Sequence, residues 1–207
     1  VDGDVLSFSA SSDTTGVGVL LNSDTLKITP ALNYTGVAKV TVIASDTQLS
    51  DTASFNLTVV NINDAPVLSG VNNDTISEDS GVRIIKLSAT DIEGDALTYS
   101  GKSSSSNVEA AVSTDTLSLT PAPDWNGTST ITAYALDGSL KDSTTFTLTV
   151  TPINDAPVIT AVSNDSTDEE TEKAIKLSVS DIDADALTYT ASSDTSAVTV
   201  TISTDTL

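Results

Sequence analysis

Acidic side chains occur at alternating positions in two short stretches of the chain. The two triplets are Asp91, Glu93 and Asp95, and Asp181, Asp183 and Asp185. Alternate side chains of an extended segment project to the same side, so each triplet would place three carboxylates close together. Such like charges repel unless a cation neutralises them. Ca²⁺ suits this role better than Mg²⁺ because it binds about six to eight carboxylate, amide and water oxygens in a flexible geometry.

Further acidic and amide side chains recur with the triplets at fixed offsets. They are Glu78, Asp137, and the pairs Asn63 and Asp64, and Asn154 and Asp155. An EF-hand loop is excluded because the position that requires Gly is Ala186 and the position that requires Glu is Ser192. A solvated acidic loop that keeps the chain soluble is the alternative to a metal site. The repetition of the same clusters beside the linkers favours the metal site.

The chain repeats itself, and the repeat is long enough to be a domain. A shift of 91 residues aligns 21–36 with 112–127, and it aligns NINDAPV at 61–67 with PINDAPV at 152–158. A repeat of about 90 residues can bury its own core, whereas a solenoid unit of roughly 20–50 residues cannot. We predict three domains within a longer chain. They are a partial repeat at 1–65 that lacks its first strands, a complete repeat at 66–155, and a partial repeat at 156–207 that lacks its last strands.

Hydrophobic and hydroxylated residues alternate along the complete repeat, which is the pattern of half-buried β-strands. Six such runs lie between turn-rich stretches, and a seventh strand is expected after Pro66. In the last run, Phe146, Leu148 and Val150 alternate with Thr residues. Ser and Thr account for 63 of the 207 residues, a share that suits strands better than helices. We therefore predict an all-β chain of tandem immunoglobulin-like Greek-key β-sandwiches in a linear array.

The composition excludes several classes of function. Asp and Glu total 29 against 8 Lys and Arg, so the formal net charge of -21 disfavours nucleic acid and anionic lipid as partners. The chain contains no His and no Cys, which removes histidine bases, cysteine nucleophiles, disulfides and the usual zinc ligands. Acidic clusters that recur in consecutive repeats are also unlike a catalytic site. We predict that the chain is not an enzyme and that no part of it inserts into a membrane.

Several motifs together resemble a known family. ATDIEGDALTYS at 89–100 resembles the ATDxDxG segment of cadherins, ALDGS at 135–139 resembles their AxDxG segment, and TPINDAP at 151–157 resembles their linker DxNDNxP. With ISED at 76–79 and TPAPDWNG at 120–127, the set is similar to the bacterial cadherin-like tandem repeats of very large secreted or surface-attached proteins. The resemblance covers nearly the whole chain. It implies a cadherin-like sandwich in each repeat and Ca²⁺ ions at the junctions between repeats.

The resemblance also implies which residues hold the ions. The first junction would use Asn63, Asp64, Asp91, Glu93 and Asp137, with Asp95 as a further candidate. The second junction would use Glu78, Asn154, Asp155, Asp181 and Asp183. Asp2 and Asp46 occupy the matching places in the first repeat. Because the cadherin DRE tripeptide is absent, we expect one or two ions per junction and a dissociation constant of roughly 10⁻⁴ to 10⁻³ M.

The function implied by this resemblance is structural. A Ca²⁺ ion shared by adjoining repeats would turn a hinged chain into a stiff rod of a large extracellular adhesin or fibre-forming surface protein. Its partners would be the adjacent repeats and other copies of the chain. Recognition of a glycan or of a second copy is the alternative. A glycan platform usually presents several aromatic side chains, and this chain has only one Trp, four Tyr and three Phe.

Overall fold

The computed structural model describes residues 5–203, and within them the chain forms 16 β-strands and no helix. The prediction of an all-β chain is therefore confirmed. The chain divides into two compact units. The first unit contains the residues up to Ser69, together with Ser88–Thr98 and Tyr134–Ser143. The second contains Gly70–Leu87, Tyr99–Ala133 and the residues from Thr144 onward.

The first unit contains seven complete strands. They are β1 (Ser7–Ser12), β2 (Val17–Asn22), β3 (Thr25–Pro30), β4 (Gly36–Ser45), β5 (Ser50–Val59), β6 (Val67–Leu68) and β9 (Ala89–Thr90). One antiparallel sheet has the order β1-β4-β5, β2 pairs with β3, and β6 pairs with β9. Val17, Ala38 and Val40 are buried apolar residues of this unit.

The predicted middle repeat contains a four-stranded sheet and a three-stranded sheet. Its other strands are β7 (Asp74–Ser77), β8 (Arg83–Lys86), β10 (Thr98–Ser103), β11 (Val108–Ser113), β12 (Thr116–Pro121), β13 (Gly127–Leu136) and β14 (Lys141–Thr151). One sheet has the order β10-β13-β14-β7, in which β7 runs parallel to β14. The other has the antiparallel order β11-β12-β8. The third repeat contributes the short pair β15 (Val158–Ile159) and β16 (Val179–Ser180).

Alternate residues of β12, β13 and β14 form the apolar core of the second unit. Phe146 and Val150 are 3% and 2% exposed, and Leu148 is fully buried, whereas the Thr residues between them are partly exposed. From the other sheet, Leu117 and Leu119 of β12 are fully buried. The alternation predicted from the sequence thus separates a buried apolar face from a hydroxylated face.

Tight turns set the register of the two matching hairpins. β2 and β3 are joined by two residues, as are β11 and β12. Ser23 and Thr114, the first residues of these turns, have φ of 56° and 54°, the left-handed conformation that two-residue hairpin turns require. The following residue of the second turn, Asp115, binds Lys86 Nζ at 2.6 Å and accepts the Leu87 N–H through its carbonyl oxygen. This contact fixes the end of β8 against the hairpin.

The strand pattern of the middle repeat differs from the expected one. We predicted seven strands, and the structure has nine, from β6 to β14. The sequence DTIS forms β7, a four-residue strand whose stability comes from parallel pairing with β14 and not from its own alternation. The run predicted as one strand, IIKLSA, divides into β8 and β9, because its first part pairs with β12 and its last part pairs with β6.

Candidate metal centre

Carboxylates gather at one place in the second unit. The members of this group are Glu78, Asp79, Asp124, Asp155 and Asp183, which we call the second acidic centre. Glu78 and Asp79 follow β7, and Asp124 lies between β12 and β13. Asp155 belongs to the linker PINDAP, and Asp183 belongs to the acidic triplet that follows β16. Four separate segments therefore supply negative charge to one centre.

Glu78 is the most buried acidic residue of this centre, with 1% exposure. Its Oε1 atom accepts a hydrogen bond from the backbone N–H of Ile153 at 2.7 Å. Its Oε2 atom is buried and has no hydrogen-bond partner among the described residues. A buried carboxylate oxygen without a partner is costly, so this atom indicates that a cation or water belongs beside it.

Asp155 occupies a crowded position in the linker. Its backbone N–H donates to Asp183 Oδ2 at 2.6 Å. Its own Oδ2 is buried and, like Glu78 Oε2, lacks a hydrogen-bond partner in the described part of the chain. Burial raises the pKa of the Asp155 carboxyl above its ordinary value, and the negative charges of Asp124, Asp79, Asp183 and Glu78 raise it further. The ionised form of Asp155 therefore needs a nearby positive charge.

Asp79, Asp124 and Asp155 present the most compact set of oxygens. One carboxylate oxygen from each lies within 4.8 Å of the others. Two oxygens that bind one Ca²⁺ at about 2.3–2.6 Å are at most about 5 Å apart, so this spacing suits a shared calcium ion. Asp79 and Asp124 both adopt the left-handed conformation, with φ of 58° and 54°, and the backbone N–H of Asp124 donates to Asp79 Oδ1 at 3.3 Å. The donors are all oxygens, which fits a hard cation.

The two acidic triplets share one local conformation. In the second unit, Asp181 Oδ1 accepts the backbone N–H groups of Asp183 at 3.0 Å and Asp185 at 3.1 Å. In the first unit, Asp91 Oδ1 accepts the corresponding N–H groups of Glu93 at 3.0 Å and Asp95 at 3.1 Å. The prediction that the triplets are extended segments is therefore wrong: each is a bent loop, which its first Asp organises with one oxygen. The other oxygen of Asp91 is buried and has no partner among residues 5–203. Asp181 lines a hollow together with Asp124 and Asp155.

The first unit brings together the other predicted ligands of the first junction. The Asn63 side-chain amide donates to Asp137 Oδ2 at 2.8 Å, and the Asp64 backbone N–H donates to Glu93 Oε2 at 3.3 Å. The pKa of Asp137 lies below its ordinary value because its carboxylate accepts N–H groups from Leu140, then Ser139, and the Asn63 amide. The linker is thus tied to both acidic segments of the middle repeat.

The remaining predicted residues have more local roles. The Asn154 side-chain amide donates to the carbonyl oxygen of Asp155 at 2.9 Å, which leaves its own side-chain oxygen available. The carboxylate of Asp95 is exposed at the end of its loop. Asp46 closes a turn by accepting the N–H groups of Gln48 at 2.9 Å and Leu49 at 2.7 Å, and these bonds lower its pKa. Asp2 lies outside the described residues.

The sequence interpretation missed two members of the second acidic centre, Asp79 and Asp124. Asp79 directly follows the predicted ligand Glu78, and Asp124 lies in the segment PAPDWNG, directly before Trp125. Trp125 and the matching Tyr34 pack against glycines: a Cβ atom on Gly127 would lie 2.9 Å from the Trp125 ring, and one on Gly16 would lie 2.1 Å from the Tyr34 ring. The acidic residue beside the aromatic, and not the ring, reaches the centre.

Residues 63–151 match a family described as Bacterial Ig domain. The match covers 89 of the 207 residues. The predicted relationship to bacterial immunoglobulin-like and cadherin-like repeats is therefore confirmed for the middle of the chain. A comparison with curated proteins finds no match.

Several solved structures are similar to this chain. An endo-fucoidan hydrolase, MfFcnA4 from glycoside hydrolase family 107, is 24% identical with a TM-score of 0.35, over 73% of this chain and 24% of that chain. Human protocadherin-24 EC1-2 is 18% identical with a TM-score of 0.46, over 72% of this chain and 83% of that one. Drosophila N-cadherin EC1-3 is 15% identical with a TM-score of 0.39, over 74% and 57%. The chain thus spans about a quarter of the length of the fucoidan hydrolase. Within residues 5–203, the chain has no helix that is long and apolar enough to cross a membrane.

Proposed function

We propose that this chain is a calcium-rigidified part of a repeat array in a large extracellular adhesin or fibre-forming surface protein. The observation that carries the proposal is the pair of buried carboxylate oxygens without partners, Glu78 Oε2 and Asp155 Oδ2, in a centre of five carboxylates. Such a centre is unstable as a set of bare anions, because burial and mutual repulsion both oppose ionisation. A divalent cation held by Asp79, Asp124 and Asp155 would offset the repulsion among these charges.

The position of the second acidic centre explains how an ion would stiffen the chain. Glu78, Asp79 and Asp124 belong to the predicted middle repeat, whereas Asp155 and Asp183 belong to the linker and the predicted third repeat. Ca²⁺ is the ion that fits best, because the donors are carboxylate and amide oxygens from flexible loops. Bound there, it would supply two positive charges and connect segments on both sides of the linker. Without it, the linker would bend more freely.

The first junction provides a comparable set of donors. An ion would be held there in the same way. Its ligands would be Asp91 Oδ2, Asp137, Glu93 and the linker residues Asn63 and Asp64. The proposed domain limits remain 1–65, 66–155 and 156–207, which place one acidic group at each linker. An extracellular location agrees with the weak affinity expected of such modules, roughly 10⁻⁴ to 10⁻³ M, which requires millimolar calcium. The array would hold the rest of the protein away from the cell surface or contact other copies, without catalysis.

Small-angle X-ray scattering of the 207-residue chain tests this proposal. With saturating Ca²⁺ the maximum dimension should increase and its distribution should narrow relative to the chain in chelator. Glu78→Gln combined with Asp155→Asn should abolish this response. Asp24→Asn, which neutralises an exposed Asp outside the centres, should preserve it. Identical scattering profiles in saturating Ca²⁺ and in chelator would contradict the proposal. So would the absence of calcium binding in calorimetry.

Self-association is a second candidate function. Phe55 is 44% exposed in the first repeat, whereas Phe146, its counterpart at a shift of 91, is 3% exposed. Phe8 of the same repeat is 46% exposed. An apolar sheet face of this kind favours contact with a further strand or with another copy. Sedimentation velocity over a dilution series tests it: a mass that rises with concentration supports association, and a constant monomer mass excludes it.

A further inference from the structure

The two junctions carry residues of different charge at one matched position. A shift of 91 residues places Asn33 of PALNYTG on Asp124 of PAPDWNG. Both residues are exposed and left-handed, with φ of 57° and 54°, and each precedes an aromatic residue that packs against a glycine. The backbone at these positions is therefore the same, and the difference is an amide in place of a carboxylate.

Each of these residues lies beside its own linker. In the first unit, Asn33 and Asp64 line one hollow. In the second unit, Asp124 and Asp155 line another. The same shift of 91 relates Asp64 to Asp155, so the two hollows are counterparts. The first hollow consequently has one negative charge fewer at this position than the second.

A second difference between the junctions, in the hydrogen bond of the linker, also favours cation binding at the second junction. The linker N–H of Asp155 donates to Asp183 at 2.6 Å, whereas the linker N–H of Asp64 donates to Glu93 at 3.3 Å. A carboxylate on the shorter Asp side chain has fewer rotatable bonds, so it loses less conformational freedom when it is held in place. The second junction therefore has the additional charge at the matched position and the shorter contact to its linker.

We infer that the second junction binds its cation at a lower concentration than the first, and that the residue at the position of Asn33 and Asp124 contributes to this order. This order rests on the proposed function and specifies which junction binds calcium first. Replacing a neutral amide ligand by a carboxylate adds a unit charge next to a divalent ion, and ligand charge is a main determinant of calcium affinity in flexible sites. We expect the midpoints to differ by about tenfold or more.

This order has a mechanical consequence. At calcium concentrations between the two midpoints, the second joint is stiff and the first still bends. Rising calcium would therefore straighten the chain in two steps. A chain whose repeats differ at this position would combine rigid and flexible joints.

A calcium titration of the isotope-labelled 207-residue chain, followed by nuclear magnetic resonance, tests the inference. The amides of Gly36 and Gly127 follow Asn33 and Asp124 by three residues and report on the two junctions separately. Fluorescence of Trp125, the only Trp of the chain, reports independently on the second. The matched variants are Asn33→Asp and Asp124→Asn, which exchange two residues that both tolerate the left-handed conformation.

The expected result is a midpoint for Gly127 about tenfold below that for Gly36. Asn33→Asp should lower the Gly36 midpoint by about tenfold and leave the Gly127 midpoint unchanged, and Asp124→Asn should raise the Gly127 midpoint by a similar factor. Equal midpoints, a reversed order, or binding that neither variant changes would overturn the inference while calcium binding itself stands. If neither amide responds to calcium in the unmodified chain, the inference and the proposed function both fail.

Discussion

Glu78 Oε1 accepts a hydrogen bond from the backbone N–H of Ile153, and the two atoms are 2.7 Å apart. One carboxylate therefore has two roles in the second acidic centre. One of its oxygens holds the start of the linker to the middle repeat by a bond that needs no metal. The other oxygen, Oε2, is buried without a partner and adds to the charge of the centre. These roles can be separated by substitution.

Removal of the Glu78 side chain should destabilise the chain with or without calcium. Glu78→Ala deletes the acceptor of the Ile153 N–H and leaves a cavity at a site that is 1% exposed. The expected loss is about 1–3 kcal/mol in the free energy of unfolding, measured by chemical denaturation in chelator. An unchanged free energy would contradict the structural role of this bond.

Glu78→Gln should affect calcium binding and not the structural bond. The amide oxygen still accepts the Ile153 N–H, and the loss of one of five negative charges relieves repulsion around Asp155. The melting temperature in chelator should therefore be equal to or above that of the unmodified chain, and the increase caused by Ca²⁺ should become smaller. Calorimetry in both conditions measures the two effects. A full calcium-induced increase in this variant would exclude Glu78 as a ligand.

The core of the middle repeat should tolerate truncation far less than its counterpart in the first repeat. Phe146→Ala removes a side chain that is 3% exposed and should cost about 3–5 kcal/mol. Phe55→Ala, the matched change at a shift of 91, removes one that is 44% exposed and should cost less than half of that. Urea denaturation of both variants gives the comparison. Equal losses would show that the two positions are equally buried in solution.

Local patterns in the sequence were sufficient to predict much of this fold. The alternation around Phe146 and Leu148 identifies a buried strand face because side chains alternate across a strand. Such a pattern depends only on neighbouring residues. The same argument was wrong for the acidic triplet at Asp91, which was expected to be extended: the chain bends there, and Asp91 accepts the N–H groups two and four positions along.

Features that depend on distant pairing were not predictable in this way. Strand β7 is only four residues long and forms by parallel pairing with β14, about 74 residues later in the chain. Asp79 and Asp124 are 45 residues apart, yet the N–H of Asp124 donates to the carboxylate of Asp79. A single sequence does not reveal such contacts without the tertiary structure. The one sequence signal for Asp124 was its alignment with Asn33 at a shift of 91, which places a polar residue before the aromatic residue in both repeats.

Acid should weaken the first unit through Asp142. Its Oδ2 accepts the Leu68 N–H at 2.8 Å and its Oδ1 accepts the Ser143 N–H at 2.7 Å, and these bonds hold its pKa below the ordinary value of 3.8. Because the folded pKa is lower than the unfolded one, this stabilisation is present above the unfolded pKa and is lost as the pH falls through the folded pKa.

Substitution of Asp142 should reduce that acid dependence. Asp142→Asn keeps one acceptor and removes the titrating charge, so the fall in unfolding free energy below about pH 4 should become shallower. Urea denaturation in chelator at a series of acidic pH values measures this slope. Asp24→Asn is the control for the loss of an exposed carboxylate. An unchanged slope for Asp142→Asn would mean that the bond to Leu68 does not persist in solution.

Asp183 should position the second linker even when no calcium is bound. Its Oδ2 accepts the backbone N–H of Asp155 at 2.6 Å, so this amide should exchange with solvent slowly in chelator. Asp183→Ala removes the acceptor and should accelerate exchange of the Asp155 amide by about tenfold. Asp183→Asn retains an acceptor oxygen and should restore most of the protection.

Asp185→Ala is the matched control, because the bond of Asp185 to Asp181 uses its backbone N–H and not its carboxylate. Hydrogen exchange at the Asp155 amide in this variant should equal that of the unmodified chain. If Asp183→Ala and Asp183→Asn accelerate exchange equally, the charge of Asp183 and not its hydrogen bond orders the linker. If neither variant changes the exchange rate, the linker is held by the Glu78 contact to Ile153 alone, and Asp183 contributes only to the charge of the centre.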